Sequence, residues 1–267
     1  MDKVKLQGSG TGLLPNLISF QTILRKEIAR FARIWIQTIF PPIITMSLYF
    51  LIFGKFIGTQ IRLIDGYTYI QFIVPGLVLM SIMTNAYTNT SSAFFMIKFN
   101  KSIEEILVTP TSNLAILSGY VLAGVARGLA IGAIVLLISF CFTNIPLAHP
   151  LLTLAMAFLS ALVFSLGGFI NGIYAKSFDD ISFIPTFVLT PLTYLGGVFY
   201  SIKQLGPFWK ELSLFNPIFN MVDSFRFGIL GISDLSVYYG FSIVLVLASL
   251  LFAWALLLLH KGVGIKN

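Results

Sequence analysis

Six long apolar stretches, at residues 34–56, 69–92, 114–142, 151–174, 181–200 and 239–260, take up most of this chain. A hydrocarbon core about 30 Å thick needs roughly 20 apolar residues of helix to cross it, and each stretch is of that order. In lipid, backbone polar groups must be bonded within their own segment or in a closed barrel, and the strict alternation of barrel strands is absent. The expected fold class is therefore all-α, a polytopic integral membrane protein with six transmembrane helices. Composition agrees: 57% of the 267 residues are apolar and 10% charged, whereas soluble domains are roughly 45–50% apolar and about 25% charged. No large soluble domain fits between the stretches.

The cations set an orientation. With the N-terminus inside, Lys3, Lys5, Arg25, Lys26, Arg30, Arg33, Lys98, Lys101, Lys176, Lys261 and Lys266 fall on the cytoplasmic side, eleven in all, against five outside (Lys55, Arg62, Lys203, Lys210 and Arg226). An excess of Lys and Arg marks the cytoplasmic loops. An even number of spans also puts both basic termini on that side. The net charge of +7 thus reads as membrane orientation rather than nucleic-acid binding. Cys141 is the single cysteine, which excludes an intramolecular disulfide and a cysteine-based metal site. The first apolar run begins near Ile34 with no short cleavable segment ahead of it, so the first span is expected to act as an uncleaved signal. Residues 1–16, with a Gly-rich run at 8–12 that lacks the Gly-Lys-Ser/Thr ending of a phosphate loop, read as a flexible lead-in, and 17–267 as one transmembrane domain.

Several features are candidates for function. Over residues 17–35, Leu17, Phe20, Leu24, Ile28, Phe31 and Trp35 recur at helical spacing while Arg25, Lys26, Arg30 and Arg33 project to the other side, the pattern of a helix lying in the membrane interface. It reads either as a surface anchor or, in addition, as a docking surface for a cytoplasmic partner. Between the second and third stretches Ser102 precedes Glu105 at capping-box spacing and Pro110 stops what they start, which predicts a short helix presenting Ile103, Ile106 and Leu107 with Glu104 and Glu105 at their rim. Ser177, Asp179 and Asp180 repeat the idea more weakly.

Within the spans, Gly124, Gly128 and Gly132 recur every fourth residue and predict close approach of a neighbouring helix. Arg127 among them is a candidate by its cost in lipid, with a packing role as the other reading. Ser81, Asn85, Thr88, Asn89 and Ser92 form a polar stripe on the second stretch, which either lines a path or, the reading preferred here, makes interhelical hydrogen bonds. Residues 201–238 are apolar for a loop and are broken by Pro207 and Pro217, predicting two short helices. Asp223 and Arg226, three apart, suggest a local ion pair, with an outer gate as the alternative. No catalytic or metal-binding constellation is present: His149 and His260 stand far apart, and neither HExxH nor GxSxG occurs.

Taken together, the entry helix with Lys26-Glu27-Ile28-Ala29-Arg30-Phe31, Phe72-Ile73-Val74-Pro75-Gly76, Glu104-Glu105-Ile106-Leu107-Val108-Thr109-Pro110, and the outer Asn216-Pro217 with Asp223-Ser224-Phe225-Arg226 resemble the ABC-2 type permeases, the membrane subunits of bacterial ABC exporters. The resemblance covers nearly the whole chain. It implies a non-catalytic subunit of the inner membrane, a homodimer working with two copies of a separate ATPase subunit, and ATP and Mg bound on that partner with no cofactor in this chain. It also implies that Ser102, Ile103, Glu104, Glu105, Ile106 and Leu107 couple to the ATPase, helped by the entry helix (Arg25, Lys26, Glu27, Arg30, Phe31) and by Ser177, Asp179 and Asp180. Asn85, Asn89, Arg127, Asp223 and Arg226 are the candidates for a translocation path or gate. The alternative functional reading is a secondary transporter or channel complete in itself, and a third is a membrane enzyme acting on lipid. Against the former, no carboxylate that would relay protons lies within the spans.

Overall fold

The computed structural model describes residues 12–103 and 111–264. Among them the regular structure is helical, and the one strand-like feature is an isolated bridge between Ile64 and Tyr67. Helix α1 (Leu13–Arg33) ends at a break on Ile34 and α2 (Trp35–Tyr49) follows, running on as a π-helical turn, Phe50–Ile57. Then come α3 (Tyr69–Phe99), α4 (Asn113–Ser139) and α5 (Pro150–Tyr174). Next, α6 (Phe178–Ile184) passes through a π turn (Pro185–Leu189) into α7 (Thr190–Tyr194). Two short helices, α8 (Pro207–Phe215) and α9 (Pro217–Leu230), precede the last, α10 (Val237–Lys261).

The ends of these helices follow local chemistry. Thr68 and Gln71 form a capping box at the start of α3, and Ser112 Oγ accepts the amide of Ala115 at the start of α4, each supplying a partner for amides that the first turn leaves open. Pro150, Pro207 and Pro217 stand at first helical positions, where a missing N–H costs nothing. Helices α9 and α10 stop at Gly231 and Gly262, both in the left-handed region at φ 76° and 67°. The two apolar half-helices expected in 201–238 are α8 and α9.

Five helical segments among the described residues are long and apolar enough to cross a membrane: Trp35–Ile57, Tyr69–Phe99, Asn113–Ser139, Pro150–Tyr174 and Val237–Lys261. The stretch at 181–200 behaves differently. It is helical from Phe178 only to Tyr194, an extent of about 25 Å at the α-helical rise, and it turns π-helical at Pro185, close to Pro191. Proline lacks an amide and crowds the carbonyl four residues back, and here the amide and hydroxyl of Thr190 both reach Pro185 O.

Helix α3 is the axis of the molecule, buried along most of its length between α4, α5 and α9. The glycines of α4 let it approach. A Cβ on Gly128 would lie 2.8 Å from Ile82 O and 2.9 Å from Ala86 Cβ, and side chains of α3 close just as tightly over Gly124 and Gly132. The first and last spans, by contrast, expose most of their side chains, as lipid-facing or partner-facing helices do.

The polar stripe on α3 corrects an expectation. Ser81, Asn85, Thr88 and Ser92 bond to carbonyls of their own helix, on Leu77, Ser81, Thr84 and Thr88 respectively. Only Asn89 bridges helices, because short polar side chains in a helix can reach the carbonyl four residues back without a neighbour.

Candidate functional site

Three polar regions stand out, beginning where α1, α3, α4 and the α5–α6 turn meet. Helix α1 runs alongside α4: Asn16 Oδ1 accepts the amide of Ser112 at 3.0 Å, Ser19 Oγ and Thr111 Oγ1 are 3.1 Å apart, and Ile23 covers Gly119. Ser102 and Ile103 begin a helical turn, and Ile103 is buried with Ile97, Ile116, Tyr120 and Ile173. Glu104, Glu105, Ile106 and Leu107, and with them the Ser102–Glu105 capping box, lie outside the described residues. Across from them, Lys98 Nζ donates to Ile173 O at 2.6 Å and also to Ala175 O, and the ring of Phe178 packs on Phe95 and Phe99 at 5.0 and 5.3 Å.

The weak helix signal at Ser177 is real. Ser177 Oγ accepts the amide of Asp180, and Asp180 Oδ2 accepts the amides of Lys176 and Ser177 at 2.8 and 3.0 Å. Those backbone amides hold the Asp180 carboxyl below the usual carboxylate range. Asp179 beside it is exposed.

The second region lies inside the bundle. Glu27 is buried and receives Arg30 Nε at 2.8 Å, while Arg30 Nη2 and Arg127 Nη1 both donate to Asn89 Oδ1, at 3.1 and 3.2 Å. The amphipathic reading of α1 needs amending here. Arg25, Lys26 and Arg33 are exposed, but Arg30 turns inward, drawn by the buried carboxylate three residues before it. On the apolar stripe Phe20, Leu24 and Phe31 are half-buried while Leu17, Ile28 and Trp35 are exposed. Asn85 is half-buried, and Met80, Thr84, Tyr87 and Thr88 of the same helix line a groove with Phe164 and residues of the broken segment from Pro185 to Thr193, a groove that does not include Asn85. That groove was not legible in the sequence, since its two walls are about a hundred residues apart.

The third region caps the opposite end. Asp223 and Arg226 do not form the local ion pair that their spacing suggested. Asp223 accepts Ser233 Oγ and the amides of Asp234 and Leu235 at 2.8, 2.9 and 3.0 Å, so its oxygens are already engaged in holding the turn after α9. Arg226, 1% exposed, lies over the Phe72 ring at 3.9 Å and donates to Gly197 O at 2.5 Å and Phe72 O at 3.4 Å. Lys203 bridges Asp65 and Asp234 at 3.0 and 3.3 Å, and its ammonium pKa is raised, first by the hydrogen bond to Asp65 and then, past a smaller opposing effect of burial, by Asp234. Asp234 also accepts Ser201 Oγ and the amide of Ile202. One acidic cluster thereby pins the loops at 58–68, 201–205 and 231–236 together.

Five helices long and apolar enough to cross a membrane, with two proline-started half-helices before the last of them, define a polytopic membrane protein. The sequence matches the ABC-2 type transporter family over residues 18–230, and the chain belongs to that family. It is 50% identical over 252 residues to the inner membrane transport permease YadH of Escherichia coli strain K12, covering 94% of this chain and 98% of that one. It is also 25% identical over 211 residues to nodulation protein J of Rhizobium leguminosarum bv. viciae, covering 76% and 80% respectively.

Proposed function

We propose that this chain is the transmembrane permease subunit of an ATP-binding cassette exporter of a bacterial inner membrane, working as a homodimer with two copies of a separate ATPase subunit that binds ATP and Mg. The observation that carries the reading is the convergence of three sequence-distant parts on one end of the bundle. Helix α1 is bonded to Thr111 and Ser112 at the close of the 104–110 connection, and Lys98 and Phe99 at its opening are bonded and packed to the α5–α6 turn. A partner that pushes on that connection therefore moves α1, α3, α4 and α5 together. The proposed docking surface takes in the exposed Arg25 and Lys26 of the entry helix, the connection that Ser102 opens, and the exposed Ser177, Asp179 and Asp180, while Glu27 and Arg30 tie the entry helix to the bundle behind it.

In this reading both termini are cytoplasmic, α1 enters from the cytoplasmic membrane interface along the first half of α4, and α6 with α7 makes a sixth, short and kinked crossing. The broken crossing and the groove beside α3 face the translocation path. Asn85 borders that path, Asn89 and Arg127 brace it at its cytoplasmic half, and Asp223 and Arg226 hold the outer cap that gates it. ATP closure of the partner subunits favours one arrangement of the permease pair over the other, which is differential binding driving alternating access.

Co-purification tests the reading. A tagged chain extracted in mild detergent is expected to bring down, in equal amount, a Walker-motif subunit with ATPase activity. A stable chain that emerges alone and without ATPase under the gentlest extraction would contradict it.

A further inference from the structure

The cluster of Glu27, Arg30, Asn89 and Arg127 is rich in donors and short of acceptors. Two guanidinium groups share one amide oxygen, and the one carboxylate bonds Arg30. Turning the Asn89 amide over would set its NH2 group against both arginines, so the donors themselves dictate that its oxygen faces inward. Asn89 is completely buried, yet its Nδ2 has no partner, and neither does Arg127 Nε. Unfilled buried donors beside two like charges are an unfavourable arrangement that an anion would relieve.

The cluster is also open on one side. The Arg30 side chain is 37% exposed whereas that of Glu27 is 4%. Beside it, around the α1–α2 break, Ile28, Ile34, Trp35 and Ile36 are exposed, the apolar and indole surface that sits at a membrane interface. A ligand that suits all of this has an anionic oxygen head and hydrocarbon tails.

We propose that this cluster is a binding site for the phosphate of an anionic lipid headgroup. Arg30 and Arg127 supply the charge, and the Asn89 amide and Arg127 Nε supply the unfilled donors. Arg30, the exposed member, is the side chain that a headgroup arriving from outside meets first. The proposal rests on the permease reading only in setting the cluster at the membrane, and the lipid is either a resident of the bilayer or cargo on its way in.

Native mass spectrometry of the full chain in mild detergent, offered equal amounts of phosphatidylglycerol and phosphatidylcholine, tests it without any ATPase. The wild-type chain is expected to retain phosphatidylglycerol preferentially, and Arg127→Gln to weaken that preference by roughly tenfold or more, the scale of one charge-assisted hydrogen bond. Because Arg127→Gln is also a packing change, Asn89→Asp is the decisive variant. It supplies the missing carboxylate in place, so it should abolish the preference while holding or raising the thermal midpoint. Arg62→Gln, in the loop after the first span, should leave the preference intact. No headgroup preference in the wild type, or a folded Asn89→Asp chain that keeps the wild-type preference, would overturn the proposal. A failure here leaves co-purification with an ATPase untouched, and the reverse holds too. With the site established, turnover in the assembled complex separates the sources: loss of the bound lipid on ATP hydrolysis identifies cargo, and unchanged retention identifies a resident lipid.

Discussion

Arg226 shows how a buried cation is tolerated in this chain. It has no carboxylate in direct contact among the described residues and relies on two carbonyls and the face of Phe72. Charged donors to buried carbonyls and a desolvated cation–π contact each contribute on the order of 1.5–3 kcal/mol. Arg226→Ala is therefore expected to destabilise the chain by about 3 kcal/mol or more, read as a lowered midpoint of thermal or chemical unfolding in detergent. Asp180 offers a test by pH. Because its folded-state pKa is depressed by the Lys176 and Ser177 amides, its contribution to stability is present above the unfolded carboxyl value, about 3.9, and is lost as pH falls through the folded value. The midpoint difference between wild type and Asp180→Asn should thus be present at neutral pH and close progressively below about pH 4. Both residues were visible in the sequence, but only Asp180 was readable, since a capping box acts within three residues. The partners of Arg226, Phe72 and Gly197, are far away in the chain, and three-residue spacing from Asp223 pointed to the wrong contact.

At the scale of helices, the long spans and the proline-started half-helices were legible because lipid demands length and apolarity and because proline fixes a first turn. The glycine track on α4 was legible for the same kind of reason, and it makes a prediction. Gly128→Leu forces α3 and α4 apart where α3 offers backbone rather than a flexible side chain, and overpacking of this kind costs about 1–3 kcal/mol. Measured unfolding midpoints should fall for Gly128→Leu well below those for Ala130→Leu, since Ala130 lies two residues on and is exposed. The broken segment from Phe178 to Tyr194 was harder to read. Its apolar run is continuous in sequence, and the π turn comes from where Pro185 falls relative to the hydroxyl and amide of Thr190. The polar stripe misled for a related reason: a side chain's choice between its own helix and a neighbour depends on distances that a sequence does not carry.

For the molecule as a whole, the account joins a lipid-facing bundle to a partner-facing end. In the proposed reading, coupling runs through the connection after α3, whose flanks are tied to α1 and to the α5–α6 turn. Reversing charge in that connection, with Glu104→Lys and Glu105→Lys together, should leave insertion and folding intact while separating ATP hydrolysis from transport in the reconstituted complex. Normal coupling in that double variant would remove the connection from the mechanism. The measurement nearest the central claim remains gentle extraction of the tagged chain, followed by mass spectrometry and an ATPase assay on the complex. The account predicts a Walker-motif ATPase in one-to-one ratio with this chain, two of each per particle. A stable particle of this chain alone, without ATPase activity, would contradict it.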